Sequence, residues 1–175
     1  DLQTGNKLHE KSFTQSAGIL SNIVFSNDNN KIVFNCNDRT IKIWNIENNT
    51  LDLICNHDET VHCVIFSSDN YNIVFGCSNG YIKICDMITN TLSHILKDIH
   101  AFSYEYPVTN IAISSDNSKI ISAGSKRIDI WDVAAAKVLH TIHGHGSWFN
   151  HLAFSPDNRL FISCSDDVKV YDTNT

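Results

Sequence analysis

The densest group of chemistry-bearing side chains in this 175-residue chain is His140-Thr141-Ile142-His143-Gly144-His145. Imidazoles at short spacing can hold a transition metal. The surrounding pattern argues against that use. His140 and His143 lie on, or at the end of, an apolar strand pattern, where residues three apart face opposite sides and reach one ion only across a bulge. Asp28, Asp69, Asp116 and Asp157 recur in similar turns and raise calcium, but each stands alone in its turn, and calcium takes about six to eight oxygens. They read instead as turn-initiating Asx residues. No Gly-x-Ser-x-Gly elbow occurs, and seven glycines are too few for a phosphate-cradling loop. The six cysteines, Cys36, Cys55, Cys63, Cys77, Cys85 and Cys164, contain no close pair of zinc-binding type. Cys36, Cys77 and Cys164 fall at matching places near the end of a second strand, which suits small buried thiols in a reducing cytosolic or nuclear compartment. The residues therefore predict no catalysis, no metal and no cofactor.

The elements that carry these residues repeat. The copies Phe25-Ser26-Asn27-Asp28-Asn29, Phe66-Ser67-Ser68-Asp69-Asn70, Ile113-Ser114-Ser115-Asp116-Asn117 and Phe154-Ser155-Pro156-Asp157-Asn158 set their aspartates 41, 47 and 41 residues apart. Each copy runs on through apolar strands and a hairpin to Trp44-Asn45, Cys85-Asp86, Trp131-Asp132 or Tyr171-Asp172. A period of about 40–45 residues with this ending marks a four-stranded propeller blade. Apolar alternation predicts strands at 22–25, 31–36, 40–44 and 51–55 in the first copy, and at 61–66, 71–77, 81–85 and 92–96 in the second. The third copy predicts 109–113, 119–123, 128–131 and 138–142; the fourth predicts 150–154, 160–163 and 168–171, then stops. The repeat units are 1–45, 46–86, 87–132 and 133–175. Nothing has helical period.

Bulk properties narrow the partners. The formal net charge of -6 and a pI near 5.8 disfavour a nucleic-acid backbone, which needs a positive surface. No run of about 18 apolar residues is present to span a membrane, and no charged-then-apolar leader opens the chain. Asn is abundant where Gly is scarce; Asn tolerates the left-handed turn conformation, and coding bias explains its frequency without a functional tract.

These repeats resemble the WD-repeat family over nearly the whole chain, most closely in the fourth copy with Gly144-His145, Phe149 to Asp157 and Tyr171-Asp172. The resemblance implies an all-β fold of four consecutive four-stranded antiparallel blades, part of a larger ring of about seven or eight. It also implies a buried network of a loop His, a Ser or Thr, a hairpin Asp and the closing Trp. Carried onto this chain, the network residues are Asp38 and Trp44, then His57, then His100 and Trp131, then His145, with no copy complete. Asp1 aligns with the Asp after a closing Trp, so 7–13 reads as an outer strand without its own blade. The open edge calls for closure on 168–171, for a second copy, or for additional blades from the parent chain; the last is preferred.

A family of this kind usually binds partners on the face around the central channel. There the third copy carries four extra residues, with Phe102, Tyr104 and Tyr106 in Ala101-Phe102-Ser103-Tyr104-Glu105-Tyr106-Pro107. Trp148 lies in the matching loop of the next copy, and Arg127 with Lys126 in the hairpin between. Rigidly held loops and aromatic side chains are favoured at interfaces. The expectation is a non-catalytic protein–protein interaction scaffold in which Phe102, Tyr104, Tyr106, Arg127 and Trp148 receive a peptide or domain. The alternatives are a regulatory or sensor propeller appended to an enzyme outside the segment, and a sugar-binding or enzymatic propeller, which would need clustered acids on the channel face.

Overall fold

The computed structural model describes residues 7, 9–11, 20–36, 38–56, 58–97, 107–124, 127–143 and 148–174, with backbone alone at 21 and 53–56. Among them are fifteen strands and no helix. Blade one comprises β1 (Leu20–Phe25), β2 (Lys31–Cys36), β3 (Thr40–Asn45) and β4 (Leu51–Asn56). Blade two comprises β5 (Val61–Phe66), β6 (Asn72–Cys77), β7 (Ile82–Asp86) and β8 (Thr91–Leu96). Blade three comprises β9 (Asn110–Ile113), β10 (Lys119–Gly124), β11 (Arg127–Asp132) and β12 (Lys137–His143), and blade four β13 (His151–Phe154), β14 (Leu160–Cys164) and β15 (Val168–Asp172). Each blade is one antiparallel meander; the fourth has three strands among the described residues. Every strand expected within the four copies is present, within two residues of its expected ends. Lys7 and His9–Lys11, expected to lie in an outer strand, are not in strand conformation. His9 instead stands edge-on to Trp44, ring centres 6.5 Å apart, and Lys11 Nζ donates to the Asn49 carbonyl at 2.8 Å.

Inner strands pack in chain order, β1 on β5, β5 on β9 and β9 on β13. The core therefore lies between blades. Val33, Ile41 and Ile43 of blade one pack on Val64, Phe66 and Phe75 of blade two. Val74, Ile82 and Ile84 meet Ile111, Ile120 and Trp131 at the second joint, and Ile121, Ile128 and Ile130 meet Phe149, Leu152 and Phe161 at the third. Burying each such side chain is worth about 1.5–3 kcal/mol, so neighbouring blades stabilise one another. Gly76 fixes how closely two of them approach: a Cβ there would lie 2.5 Å from Val108 Cγ1 and 2.7 Å from Cys63 Sγ.

The inner strands begin at one edge of the blades, here the entry edge, and end at the opposite turn edge. Each turn is built alike. The serine hydroxyl donates to the turn aspartate, as from Ser114 to Asp116 Oδ1 at 2.6 Å, and the next residue but two takes a positive φ. Those residues are Asn29, Asn70, Asn117 and Asn158, with φ of 59, 62, 61 and 60°. In the Ser78–Gly80 hairpin, by contrast, Gly80 alone is left-handed, at φ 83°. The turn asparagines also tie the blades together. Asn70 Oδ1 accepts the Asn27 N–H at 2.9 Å, Asn117 Oδ1 the Ser68 N–H at 2.7 Å, and Asn158 Oδ1 the Ser115 N–H at 2.9 Å. Asn117 Nδ2 further donates to Asp69 Oδ2 at 2.9 Å. The asparagines form a ladder along the turn edge, each rung reaching back one blade.

Candidate functional site

At the entry edge, the start of β9 stands beside the end of β10, with Asn110 opposite Ala123. Arg127 opens β11 opposite Gly124 and His143. The Asn110 amide reaches across to blade four, donating to the Phe149 and Asn150 carbonyls at 3.4 and 3.1 Å. Its span fixes the loop that carries Trp148. Phe149 is driven into the interblade core, 4% exposed, while Trp148 stands 59% exposed beside it. The backbone under Trp148 is held, because Ser165 Oγ donates to the Trp148 carbonyl at 2.9 Å and the Asn150 N–H to the Cys164 carbonyl at 2.8 Å. A large aromatic surface is thus presented from a pinned main chain, which lowers the ordering cost of binding.

Arg127 is engaged within its own strand. Its Nε and a terminal nitrogen reach Asp129 Oδ2 at 2.8 and 2.6 Å, and Asp129 Oδ1 accepts the Thr141 hydroxyl at 2.7 Å. Arg127 therefore presents a neutralised, oriented pair rather than a lone cation. Phe102, Tyr104 and Tyr106, together with Lys126, His57, His100 and His145, lie outside the described residues. Of the five-residue patch, Arg127 and Trp148 have a described position, both at the entry edge.

Among the described residues, the Trp–Ser bond expected of the buried network is made in blade three, where Trp131 Nε1 donates to Ser122 Oγ at 2.8 Å. In blade one Phe34 occupies the place of Ser122, and the Trp44 indole instead donates to Asn49 Oδ1 at 3.1 Å. Asp38 and Trp44 share no hydrogen bond. Asp38 closes the hairpin, accepting the Thr40 N–H at 3.0 Å and Lys42 Nζ at 3.3 Å. In blade four, Tyr171 replaces the indole and stacks on Phe161 at 5.0 Å.

One recurring feature escaped the sequence reading. Two residues before each closing position stands a charged side chain: Lys42, Lys83, Asp129 and Lys169. Each is paired, Lys42 with Asp38 at 3.3 Å, Lys83 with Glu59 at 2.7 Å, Asp129 with Arg127 at 2.6 Å and Lys169 with Asp167 at 3.7 Å. Glu59 also accepts the Asn79 amide at 2.8 Å. The signal was the invariant offset from the closing residue inside an otherwise apolar strand.

His140 and His143 sit on a regularly paired stretch of β12, opposite Ile130 and Arg127, so they face opposite sides of the blade. Among the described residues no three His, Cys, Asp or Glu converge as metal ligands. Cys36, Cys63, Cys77 and Cys85 are buried unbridged thiols and Cys164 is half-buried. Burial pushes the Cys63 and Cys77 thiols up to about 12, which leaves them poor nucleophiles.

The family described as "Nucleolar protein 10-like, N-terminal domain", a β-propeller, matches residues 49–172, and the WD domain, G-beta repeat, matches residues 8–45. The chain belongs to the Nucleolar protein 10-like N-terminal β-propeller family. Its WD repeats are similar to those of several curated proteins. The U5 small nuclear ribonucleoprotein 40 kDa protein of Homo sapiens is 31% identical over 70 residues, 39% of this chain and 20% of that protein. The nuclear distribution protein nudF of Aspergillus terreus is 33% identical over 75 residues, 39% of this chain and 17% of its own length. A guanine nucleotide-binding protein subunit beta of Oryza sativa subsp. japonica is 32% identical over 88 residues, 44% of this chain and 23% of that protein. This propeller thus spans about a fifth of the length of each relative.

Proposed function

We propose that the chain is a non-catalytic protein-interaction scaffold that receives a peptide or domain at the entry edge around the channel. The observation that carries this reading is Trp148, 59% exposed on a main chain held by Ser165. A solvent-facing indole on a pinned backbone costs little to order and contributes strongly at an interface. Phe102, Tyr104 and Tyr106 belong to the same proposed patch. Arg127, oriented by Asp129, supplies polar contact beside it. Lys42, Lys83, Asp129 and Lys169 are each engaged in an ion pair with a neighbouring side chain. Relatives named for a small nuclear ribonucleoprotein and for nuclear distribution support a nuclear or cytoplasmic setting, and the formal net charge of -6 favours a protein partner over a bare nucleic-acid backbone.

The test is quantitative capture of partners from cell lysate by wild type and by Tyr104→Ala/Trp148→Ala, both first shown to fold by circular dichroism. Selective loss of a captured protein in the double variant, with recovery in Trp148→Phe, supports the patch. An unchanged set of captured proteins overturns it.

A further inference from the structure

Four hydrogen bonds of one kind make the turn edge comparable blade by blade. The residue after each closing strand donates its N–H to the residue before the second strand. Ile46 donates to the Asn30 carbonyl, Met87 to Tyr71, Val133 to Ser118 and Thr173 to Arg159, at 2.9, 2.9, 3.0 and 3.0 Å. The residues that follow the four donors are Glu47, Ile88, Ala134 and Asn174. Each blade thus presents a matched pair on its two joined turns: Asn30 with Glu47, Tyr71 with Ile88, Ser118 with Ala134 and Arg159 with Asn174. All eight residues are exposed, so no core dictates their type. Three pairs are small or polar. Blade two instead carries an aromatic and an aliphatic residue, 60 and 77% exposed, although blades one and three already pack against it. Single exposed apolar residues are ordinary, but a pair set side by side where the repeat elsewhere is polar marks a contact surface.

The charge beside this pair is also particular to blade two. Lys31 and Lys119 open β2 and β10, and Arg159 directly precedes β14; the matching residues of blade two are Tyr71 and Asn72, both uncharged. Among the described residues, its turn acids Asp69 and Asp86 form no ion pair. Both acids hold the main chain under the apolar side chains. Asp69 Oδ1 accepts the Tyr71 N–H at 2.9 Å, and Asp86 Oδ1 accepts the Ile88 and Thr89 N–H groups at 2.9 and 2.8 Å. Two apolar anchors therefore stand on fixed backbone, which lowers the ordering cost of binding, beside two carboxylates without a cation. Such a surface repels phosphate backbones and anionic lipid headgroups. A symmetric pair of copies meeting here would set Asp69 and Asp86 against their own equivalents, and like charges across an interface are costly. The complementary occupant is basic.

We propose that Tyr71 and Ile88, flanked by Asp69 and Asp86, form a docking surface at the turn edge of blade two for a basic segment of a partner protein, one in which lysine or arginine stands beside large apolar side chains. Tyr71 and Ile88 supply the apolar contact, and the two carboxylates meet the cations. The surface lies at the edge opposite Trp148 and does not depend on the entry-edge patch.

The test measures fluorescence anisotropy of short labelled peptides with the full polypeptide. One peptide is built of lysine, leucine and phenylalanine; a second has glutamate for each lysine, and a third serine for each apolar residue. The variants are Tyr71→Ser/Ile88→Ala, Asp86→Asn and Trp148→Ala, each first shown to fold by circular dichroism. The first places blade three's residues at the matching positions. The second removes a charge and keeps the turn, since Asn45 of blade one stands in the same place and accepts the Asn48 N–H at 3.3 Å. The expected result is preference for the first peptide over the other two. Its binding weakens about tenfold in Tyr71→Ser/Ile88→Ala and about threefold in Asp86→Asn, the latter loss fading as salt is raised. Trp148→Ala leaves it unchanged, so failure of this surface and failure of the entry-edge patch are read separately. No binding, equal binding of the glutamate peptide, or binding unmoved by the blade-two variants overturns the proposal. Weakening by Trp148→Ala instead also overturns it, since the peptide then sits at the entry edge. So does a concentration-dependent dimer in sedimentation that Tyr71→Ser/Ile88→Ala abolishes, since the occupant is then a second copy.

Discussion

At the scale of single residues, hydrogen bonds set the chemistry of the acids and thiols. Asp116 Oδ1 accepts the Ser114 hydroxyl at 2.6 Å and the Ser118 N–H and hydroxyl at 2.9 and 2.8 Å. These donors favour the carboxylate and hold the Asp116 carboxyl down at about 2, the Ser114 hydroxyl contributing most. Asp28 and Asp157 are lowered in the same way, first by Ser26 and Ser155. A carboxyl depressed on folding adds stability that is full above its unfolded pKa, about 3.9, and is lost as pH falls through the folded value. Stability should thus fall between about pH 4 and pH 2, and Ser114→Ala should raise the Asp116 pKa toward the ordinary range in a carboxyl-carbon NMR titration. An unmoved pKa would count against the hydroxyl as cause. The thiols predict the opposite kind of silence: with their pKa near 12, Cys63 and Cys77 should resist iodoacetamide at about pH 8 until the protein unfolds. Peptide mapping of alkylated cysteines checks this. Ser122→Ala should cost about 1–3 kcal/mol in urea melts, because the buried Trp131 N–H loses its acceptor.

At the scale of elements, the turn asparagines do two jobs that glycine could not combine. Asn117 supplies positive φ and two interblade bonds, to Ser68 and Asp69. Asn117→Gly keeps the conformation and removes the rung, so it should destabilise by about 1–3 kcal/mol. Asn29→Gly, where no described turn precedes, should change stability by no more than about 0.5 kcal/mol. Equal effects in chemical denaturation would refute the interblade role. The contrast also shows what the sequence could carry. Strands and turns were legible because alternation and Asx chemistry are written within a few neighbouring residues. The ladder was not, because Asn117 and Ser68 meet only once two blades have formed, and abundant Asn then reads as coding bias. The two tryptophans teach the same lesson. Trp44 and Trp131 look alike in sequence, yet one indole finds Asn49 and the other Ser122, because Phe34 stands where blade three has a serine. Arg127 was legible as a loop-edge cation; its capture by Asp129, two residues on along the same face of β11, follows once that segment is a strand.

At the scale of the whole molecule, blades stack on their neighbours, and stability is shared through nearest-neighbour joints. β6 and β7 are buried almost throughout, while β15 exposes Val168, Val170 and Asp172. Amide exchange of the 175-residue chain should therefore be fastest in β14 and β15 and slowest in β6 and β7; uniform exchange would contradict the stacked description. Trp148→Ala, removing a solvent-facing side chain, should leave the unfolding midpoint nearly unchanged while altering partner capture, which separates the binding role from a packing role.

The ladder also has a chemical lifetime. Asparagine is among the thermally labile side chains, and hydrolysis of the Asn117 amide would turn its donor into a carboxylate. That group would stand 2.9 Å from Asp69 Oδ2, where attraction becomes repulsion between like charges. Ageing at one exposed amide would thus act as a slow wedge between blades two and three, at a joint whose buried core remains chemically intact.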